Sequence, residues 1–281
     1  MHTAKKRSQK KLGLIVAMVA GLTVFLAACS NKPITEHSTG IWDGGIILNF
    51  SRALIGLSHF LGNNYAFGII AFTLIIRIII LPLMIYQSKS MLKMQDLQPQ
   101  IKALQAKYPG RDNESRLAMQ RESQELYKEA GVNPFASLLP LLVQMPILIA
   151  LYQAIFRTQE LRTGHFLWLQ LGHQDPFLVL PILAAIFTFG SSWLAMASAP
   201  EQTGITKSMT FMMPVIIFIT ALSLPSALSL YWVASNAFQM VQTWFIQNPF
   251  KINAARAEKK AAEKARQRKL EKARRNALKK K

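Results

Sequence analysis

Asn64-Tyr-Ala-Phe-Gly-Ile-Ile-Ala-Phe-Thr-Leu-Ile-Ile-Arg77-Ile-Ile-Ile-Leu-Pro82-Leu-Met-Ile-Tyr86 carries a single charge, near its middle. Crossing a bilayer takes about 20 mainly apolar residues, so this run is long enough to span. Four more runs follow, at residues 134–156, 176–198, 208–224 and 227–246, the last two separated only by Pro225-Ser226. The expected fold class is an all-α integral membrane protein with five transmembrane helices.

Composition points the same way. The 281 residues are 51% hydrophobic and 17% charged, against roughly 25% charged in an ordinary soluble domain. The charges are unbalanced, 33 Lys+Arg against 14 Asp+Glu, for a formal net charge of +19. The apolar half excludes a disordered polybasic chain, and its arrangement in long runs disfavours a soluble enzyme. Cys29 is the single cysteine, which excludes intramolecular disulfides and a cysteine-based zinc site.

The N-terminus reads as an address. Lys5, Lys6, Arg7, Lys10 and Lys11 precede an apolar stretch, which ends in Leu26-Ala27-Ala28-Cys29. A basic region, an apolar region and a small-residue cleavage site describe a signal peptide. The segment resembles a bacterial lipobox, which implies cleavage of residues 1–28 between Ala28 and Cys29 and a lipid on the Cys29 thiol. The competing reading is an uncleaved first span. A lipid-anchored start outside, followed by five crossings, leaves the C-terminus in the cytoplasm. Under that topology the cytoplasmic segments hold 8 (residues 87–133), 1 (Lys207) and 14 (residues 251–281) basic residues. The outside segments hold Lys32, Arg52, Arg157 and Arg162. This is the positive-inside asymmetry.

Three segments outside the spans have character of their own. Within residues 29–63, the stretch 45–62 places Ile46, Ile47, Phe50, Leu54, Leu57 and Leu61 at helical spacing, as an amphipathic helix on the outer surface does; Trp42 is its expected interfacial anchor. Residues 87–133 read as a cytoplasmic helical hairpin turning at Tyr108-Pro109-Gly110, with Asp112 or Asn113 capping the return helix. Its 8 basic and 6 acidic residues nearly cancel, so it is a solvated hairpin, not a DNA or RNA patch. Met91, Met94, Leu97, Ile101 and Leu104 are expected to fill its seam, and a soft surface for apolar peptides is the second use of such methionines. An external loop (157–175) and a cytoplasmic loop (199–207) join the later spans. The tail, 247–281, carries a net +11 over residues 251–281 and suits either a helix or a disordered arm. Anionic lipid and the phosphates of a ribosome are both suitable partners. No aromatic residue follows Phe250, so any nucleic acid bound there is not read by stacking.

Arg77 is the chemical centre. A charge at mid-depth costs roughly 2.5–3.5 kcal/mol on insertion scales. The interface at Tyr86 lies about 13 Å away along a helix, far for snorkelling. The five runs contain no Asp or Glu. The expectation is therefore a cation held by water and polar side chains in a cavity. Trp232, Ser235, Asn236, Gln239 and Thr243 share one face of the last run, Gln144 lies in the second, and Ser191 and Ser192 in the third. Polar residues in spans also serve simply to bond helices together. His2, His37, His59, His165 and His173 all lie outside the spans, so no proton relay, catalytic triad or phosphate loop is read, and no enzyme, cofactor or metal is expected.

Thr73-x3-Arg77-x4-Pro82-Leu83 and the stretch Gln87-x-Lys89-Ser90-Met91-x-Lys93-Met94-Gln95-x-Leu97-Gln98-Pro99 resemble the YidC/Oxa/Alb membrane protein insertases. So do residues 126–134, residues 139–146 and Tyr231-Trp232-x3-Asn236. The similarity runs from about Trp42 to Asn248, in the lipoprotein form of single-membrane bacteria. It implies a hydrophilic groove among the five spans, open to cytoplasm and lipid and closed outside. The family's groove arginine falls on Arg77, and other groove positions fall on Gln144, Trp232 and Asn236. It also implies nascent membrane proteins as substrates, alone or with the Sec translocon, a ribosome contact through the basic tail, and a monomer as the sufficient unit. The alternative from another class is a lipid-anchored small-anion transporter with Arg77 as its binding residue.

Overall fold

The computed structural model describes residues 33–110, 112–202 and 204–279. The expected signal peptide 1–28, its cleavage site at Ala28 and the lipidation site Cys29 lie outside them. Among the described residues the regular secondary structure is helical except for one short hairpin, β1 (His165–Phe166) paired antiparallel with β2 (Leu169–Gln170). A π-helical turn, Ile41–Ile47, leads into α1 (Leu48–Phe60). Then come α2 (Tyr65–Asp96), α3 (Gln98–Lys107), α4 (Asn113–Glu129), α5 (Leu139–Arg157) and α6 (Gln159–Thr163). After the hairpin follow α7 (Val179–Ala197), α8 (Gly204–Leu222), α9 (Ser226–Ile246) and α10 (Pro249–Lys279).

Among the described residues three helices, α2, α5 and α7, are long and apolar enough to cross a membrane, and a shorter apolar helix covers Thr206–Leu222. α9 has 21 residues, enough for a span by length, but Ser235, Asn236, Gln239, Gln242 and Thr243 dilute its hydropathy. α2 does not stop where its apolar run does. It continues from Tyr86 to Asp96 because Gln87, Lys89, Met91, Leu92 and Lys93 are good helix formers in water. Pro82 lies inside it, as membrane helices tolerate when neighbours satisfy the freed carbonyl. Met91 and Met94 consequently belong to α2. With Glu201, Gln202 and Thr206 they line a cavity of about 780 Å³.

The described residues form two compact units. The first comprises residues 33–73, Leu141–Phe177 and Ser223–Tyr231. It is densely packed: Ile47, Leu54, Ile69, Leu151, Leu161, Leu169 and Leu171 are fully buried. The external segment is tied to the end of α5 by polar contacts. Arg157 grips Asp43 with both terminal nitrogens, at 2.9 and 2.7 Å, and Gln153 Oε1 accepts from Arg157 at 2.9 Å and from Trp42 Nε1 at 3.3 Å. Ser51 and Thr158 hydroxyls meet at 2.9 Å. The start of α9 is stitched to the loop after β2 by backbone bonds, Ser226 N–H to the His173 carbonyl and Ala227 N–H to that of Leu171.

The second unit comprises Leu74–Pro140, Leu178–Leu222 and the chain from Trp232 onwards. α7 and α8 pack against each other, with the Phe189 and Phe211 rings 5.7 Å apart. α7 also approaches α9 closely at Gly190, where a Cβ would stand 2.7 Å from the Met240 sulfur. α3 and α4 form the hairpin. At its tip Lys107 ion-pairs with Glu122 at 2.7 Å, and the Tyr108 hydroxyl bonds the same carboxylate. Asp112 caps α4 by accepting from the Ser115 N–H at 2.9 Å. α4 ends in a Schellman motif. Gly131 adopts φ +61°, its N–H bonds the Lys128 carbonyl, and Val132 N–H bonds that of Tyr127, which is why glycine stands before Asn133-Pro134. The tail is helical from Pro249 to Lys279, as α10.

Candidate functional site

The site is built on α2 and the part of α9 that lies in the second unit. Arg77 is 9% exposed. Its Nε donates to Ser235 Oγ at 2.9 Å, a terminal nitrogen donates to the same hydroxyl, and Nη1 donates to Gln239 Oε1 at 3.3 Å. Ser235 and Gln239 are four residues apart on a helix, one above the other. They form a short ladder that matches the planar fork of a guanidinium. The ladder extends one more turn: Gln239 Nε2 donates to Thr243 Oγ1 at 3.4 Å. These acceptors are neutral dipoles. A hydrogen bond to a neutral acceptor is weaker than one to a carboxylate, so these two side chains hold the guanidinium without locking it.

Sequence reasoning named this polar face, and the structure sorts its members. Ser235, Gln239 and Thr243 serve Arg77. Asn236 turns to α7, where its Nδ2 donates to Thr188 Oγ1 at 2.8 Å and stands 3.4 Å from the Ala184 carbonyl. Trp232 is half-buried on the same helix. Gln144 lies in the first unit and donates to the hydroxyl of Tyr231, which is buried; its role there is that of a helix-to-helix bond. Thr188 was not singled out from the sequence, whereas Ser191 and Ser192 were. Ser191 spends its hydroxyl on the Thr188 carbonyl at 3.0 Å. The signal for Thr188 is spacing: it lies one turn from the buried Ala184 on α7.

Outside the spans, electrostatic shifts concentrate at the hairpin tip. The Lys107 ammonium beside Glu122 holds that carboxyl below its ordinary value, helped by Tyr108, and Lys107 is raised in turn by the same bond. The Ser115 N–H lowers Asp112. Among the described residues no group of three or more His, Cys, Asp or Glu is placed to hold a metal ion.

Comparison with known proteins gives concordant results. Residues 56–254 match the family described as 60Kd inner membrane protein. The chain is 65% identical over 255 residues to "Membrane protein insertase YidC 2" of Lactiplantibacillus plantarum, covering 90% of this chain and 92% of that one. It is 56% identical over 251 residues to "Membrane protein insertase YidC" of Pediococcus pentosaceus, with 89% and 90% covered. It is 52% identical over 260 residues to the protein of that name from Enterococcus faecalis, with 92% and 94% covered. A solved structure, "Active YidC insertase crystal structure with the first transmembrane domain resolved", superposes with a TM-score of 0.58 at 30% identity. The match takes in 73% of this chain and 47% of that one, so the chain spans about half the length of that insertase.

Proposed function

The chain belongs to the YidC/Oxa/Alb family of membrane protein insertases, and on that premise we propose that it inserts newly made bacterial membrane proteins and helps them fold, using Arg77 as its substrate contact. The observation that carries the reading is the placement of Arg77. It is buried in an apolar helix and held by the neutral acceptors Ser235 and Gln239.

In the proposed mechanism a short, often acidic, external segment of a substrate enters a hydrophilic groove and is held briefly by Arg77. The groove shortens the polar path across the bilayer. Burial of the substrate's own apolar span in lipid, with the membrane potential acting on negative charge, then draws the segment outward. Transient holding suits this geometry. Hydroxyl and amide acceptors such as Ser235 and Gln239 bind a guanidinium less strongly than a carboxylate does, so an acidic substrate segment can displace them.

The proposed topology has five spans, with α8 and α9 as the fourth and fifth. The lipid-bearing Cys29 lies outside and α10 in the cytoplasm. α10 contacts the ribosome, insertion proceeds alone or beside the Sec translocon, and one chain suffices. The small-anion transporter reading finds no support in the relatives compared above, which are named insertases.

The test is photo-crosslinking in inverted membrane vesicles, with the probe at Trp232 and ribosome-stalled nascent chains bearing one short-tailed span. A length-dependent crosslink that disappears on release is expected. Its absence at every chain length, with the protein correctly assembled, would remove Arg77 and its neighbours from the substrate path.

A further inference from the structure

The second unit contains a junction that the substrate site does not use. α2 ends at Asp96 and Leu97 breaks the helix before α3, whose first turn holds Pro99; Asp96 therefore stands at the hinge of the hairpin. α7 ends at Ala197, where the last carbonyls of a helix lack intrahelical donors and the helix dipole favours a cation. The first turns of α10 meet both places. Arg256 Nε donates to Asp96 Oδ1 at 2.8 Å, Nη2 stands 2.7 Å from the same oxygen, and Nη1 donates to the Ser198 carbonyl. Asn253 Nδ2 donates to the Ala197 carbonyl at 3.0 Å. Just beyond the hinge, Lys102 of α3 ion-pairs with Glu201, in the segment that follows α7. The Arg256 side chain is 17% exposed, well inside the protein for a cytoplasmic arginine. After it the character of α10 changes: the side chains described from residue 257 to 278 are exposed, an arm of about 33 Å at 1.5 Å per residue.

We propose that Arg256 is a positioning residue, a clasp that fastens the root of the cationic arm to the hinge of the hairpin and to the end of α7, so that a partner pulling on the arm acts on the hinge. The residue type fits the task. A guanidinium presents five donors in a rigid fork, enough to hold a carboxylate on one edge and a carbonyl on another. Lysine supplies the charge as a point and cannot grip both. Such a coupling is reciprocal: whatever binds the arm better with the clasp open loosens the hinge, and a loosened hinge frees the arm. The identity of the pulling partner, a ribosome, rests on the function proposed above; the clasp itself rests on Arg256, Asp96, Ser198 and Asn253.

The experiment is amide hydrogen exchange on the full-length protein in lipid nanodiscs, comparing Arg256→Gln, Asp96→Asn and Arg256→Lys with the unaltered chain. Opening the clasp is expected to raise exchange in residues 97–107 about two- to fivefold, the range of an ion pair partly in solvent, with residues 64–81 unchanged as the control for folding. Arg256→Lys is expected to fall between. Asp96→Asn leaves the Ser198 contact in place, so it reports on the hinge even if Arg256→Gln frays α10. Unchanged exchange of residues 97–107 in both neutral variants overturns the proposal, because Arg256 would then anchor α10 alone. A second series adds ribosomes. The unaltered chain is expected to show a shift in residues 97–107, and Arg256→Gln is expected to lose it. If ribosomes leave α10 of the unaltered chain unaffected, the assigned partner is wrong, and the clasp is still decided by the ribosome-free series.

Discussion

A guanidinium in the middle of an apolar helix is tolerated only if its donors are satisfied, and Arg77 sets Nε on the Ser235 hydroxyl and Nη1 on the Gln239 amide oxygen. That choice of acceptor predicts the response to substitution. Arg77→Ala should reduce insertion of an acidic-tailed substrate about tenfold, the loss of one hydrogen bond to a charged group of about 1.5 kcal/mol. Arg77→Lys should retain much of the activity, because the charge remains. Reconstituted insertion with matched acidic and neutral tails measures both, and an Arg77→Ala protein as active as the unaltered one would refute the assignment. Arg77 was legible in the sequence because a charge inside an apolar run has few explanations. Ser235 and Gln239 were legible as neighbours on one helical face. The partners of Asn236 and Gln144 were not, since hydrogen bonds between helices far apart in sequence leave no periodic trace.

Elements carry the next set of expectations. At Gly190 an added methyl meets the end of a flexible thioether, so Gly190→Ala should be nearly neutral. Gly190→Leu drives branched carbons into Met240 and should cost about 1–3 kcal/mol by overpacking, read as a lowered unfolding midpoint in detergent. The hairpin tip should respond to pH in a defined direction. Glu122 and Asp112 are depressed below 4.5 and 3.8 respectively in the folded chain. Their contribution is therefore complete above those values and lost as pH falls through the lower, folded-state values. Lys107 is raised above 10.5, and its contribution is lost only as pH rises past its folded-state value. Hydrogen exchange of residues 104–124 should thus be protected equally from pH 5 to 8, after correction for intrinsic rates, and lose protection in acid. The turn at Tyr108-Pro109-Gly110 and the cap at Asp112 were readable because proline, glycine and aspartate act locally. The π-helical turn at Ile41–Ile47 and the β1–β2 pair were not. Each depends on contacts made after folding, such as the grip of Arg157 on Asp43, 114 residues away.

For the whole molecule the decisive quantity is charge placement. If α10 makes the proposed ribosome contact, that binding should weaken steeply between about 50 and 200 mM salt, as phosphate contacts do, and truncation after residue 257 should remove most of that dependence. Sedimentation of the two forms with ribosomes tests this; anionic vesicles retaining the longer form when ribosomes do not would assign the tail to lipid. Membrane character was plain from the apolar runs because bilayer thickness fixes their length. The end of α2 was not, since hydropathy falls at Tyr86 while helix propensity does not.

The composition of the first unit bears on how this protein is itself made. Its pieces come from residues 33–73, Leu141–Phe177 and Ser223–Tyr231, and the backbone bonds from Ser226 and Ala227 to His173 and Leu171 join the last piece to the second. During translation that unit stays unfinished at least until the start of α9 has been synthesised. By then about four-fifths of the 281 residues have been made, and the earlier helices have waited in the membrane without their final packing partner. A stop codon or a pause shortly before residue 226 would thus leave a chain with most of its apolar length in the bilayer and an open first unit. Quality-control proteases would meet such a chain as a substrate, so the abundance of the protein should depend on the speed of translation through that stretch.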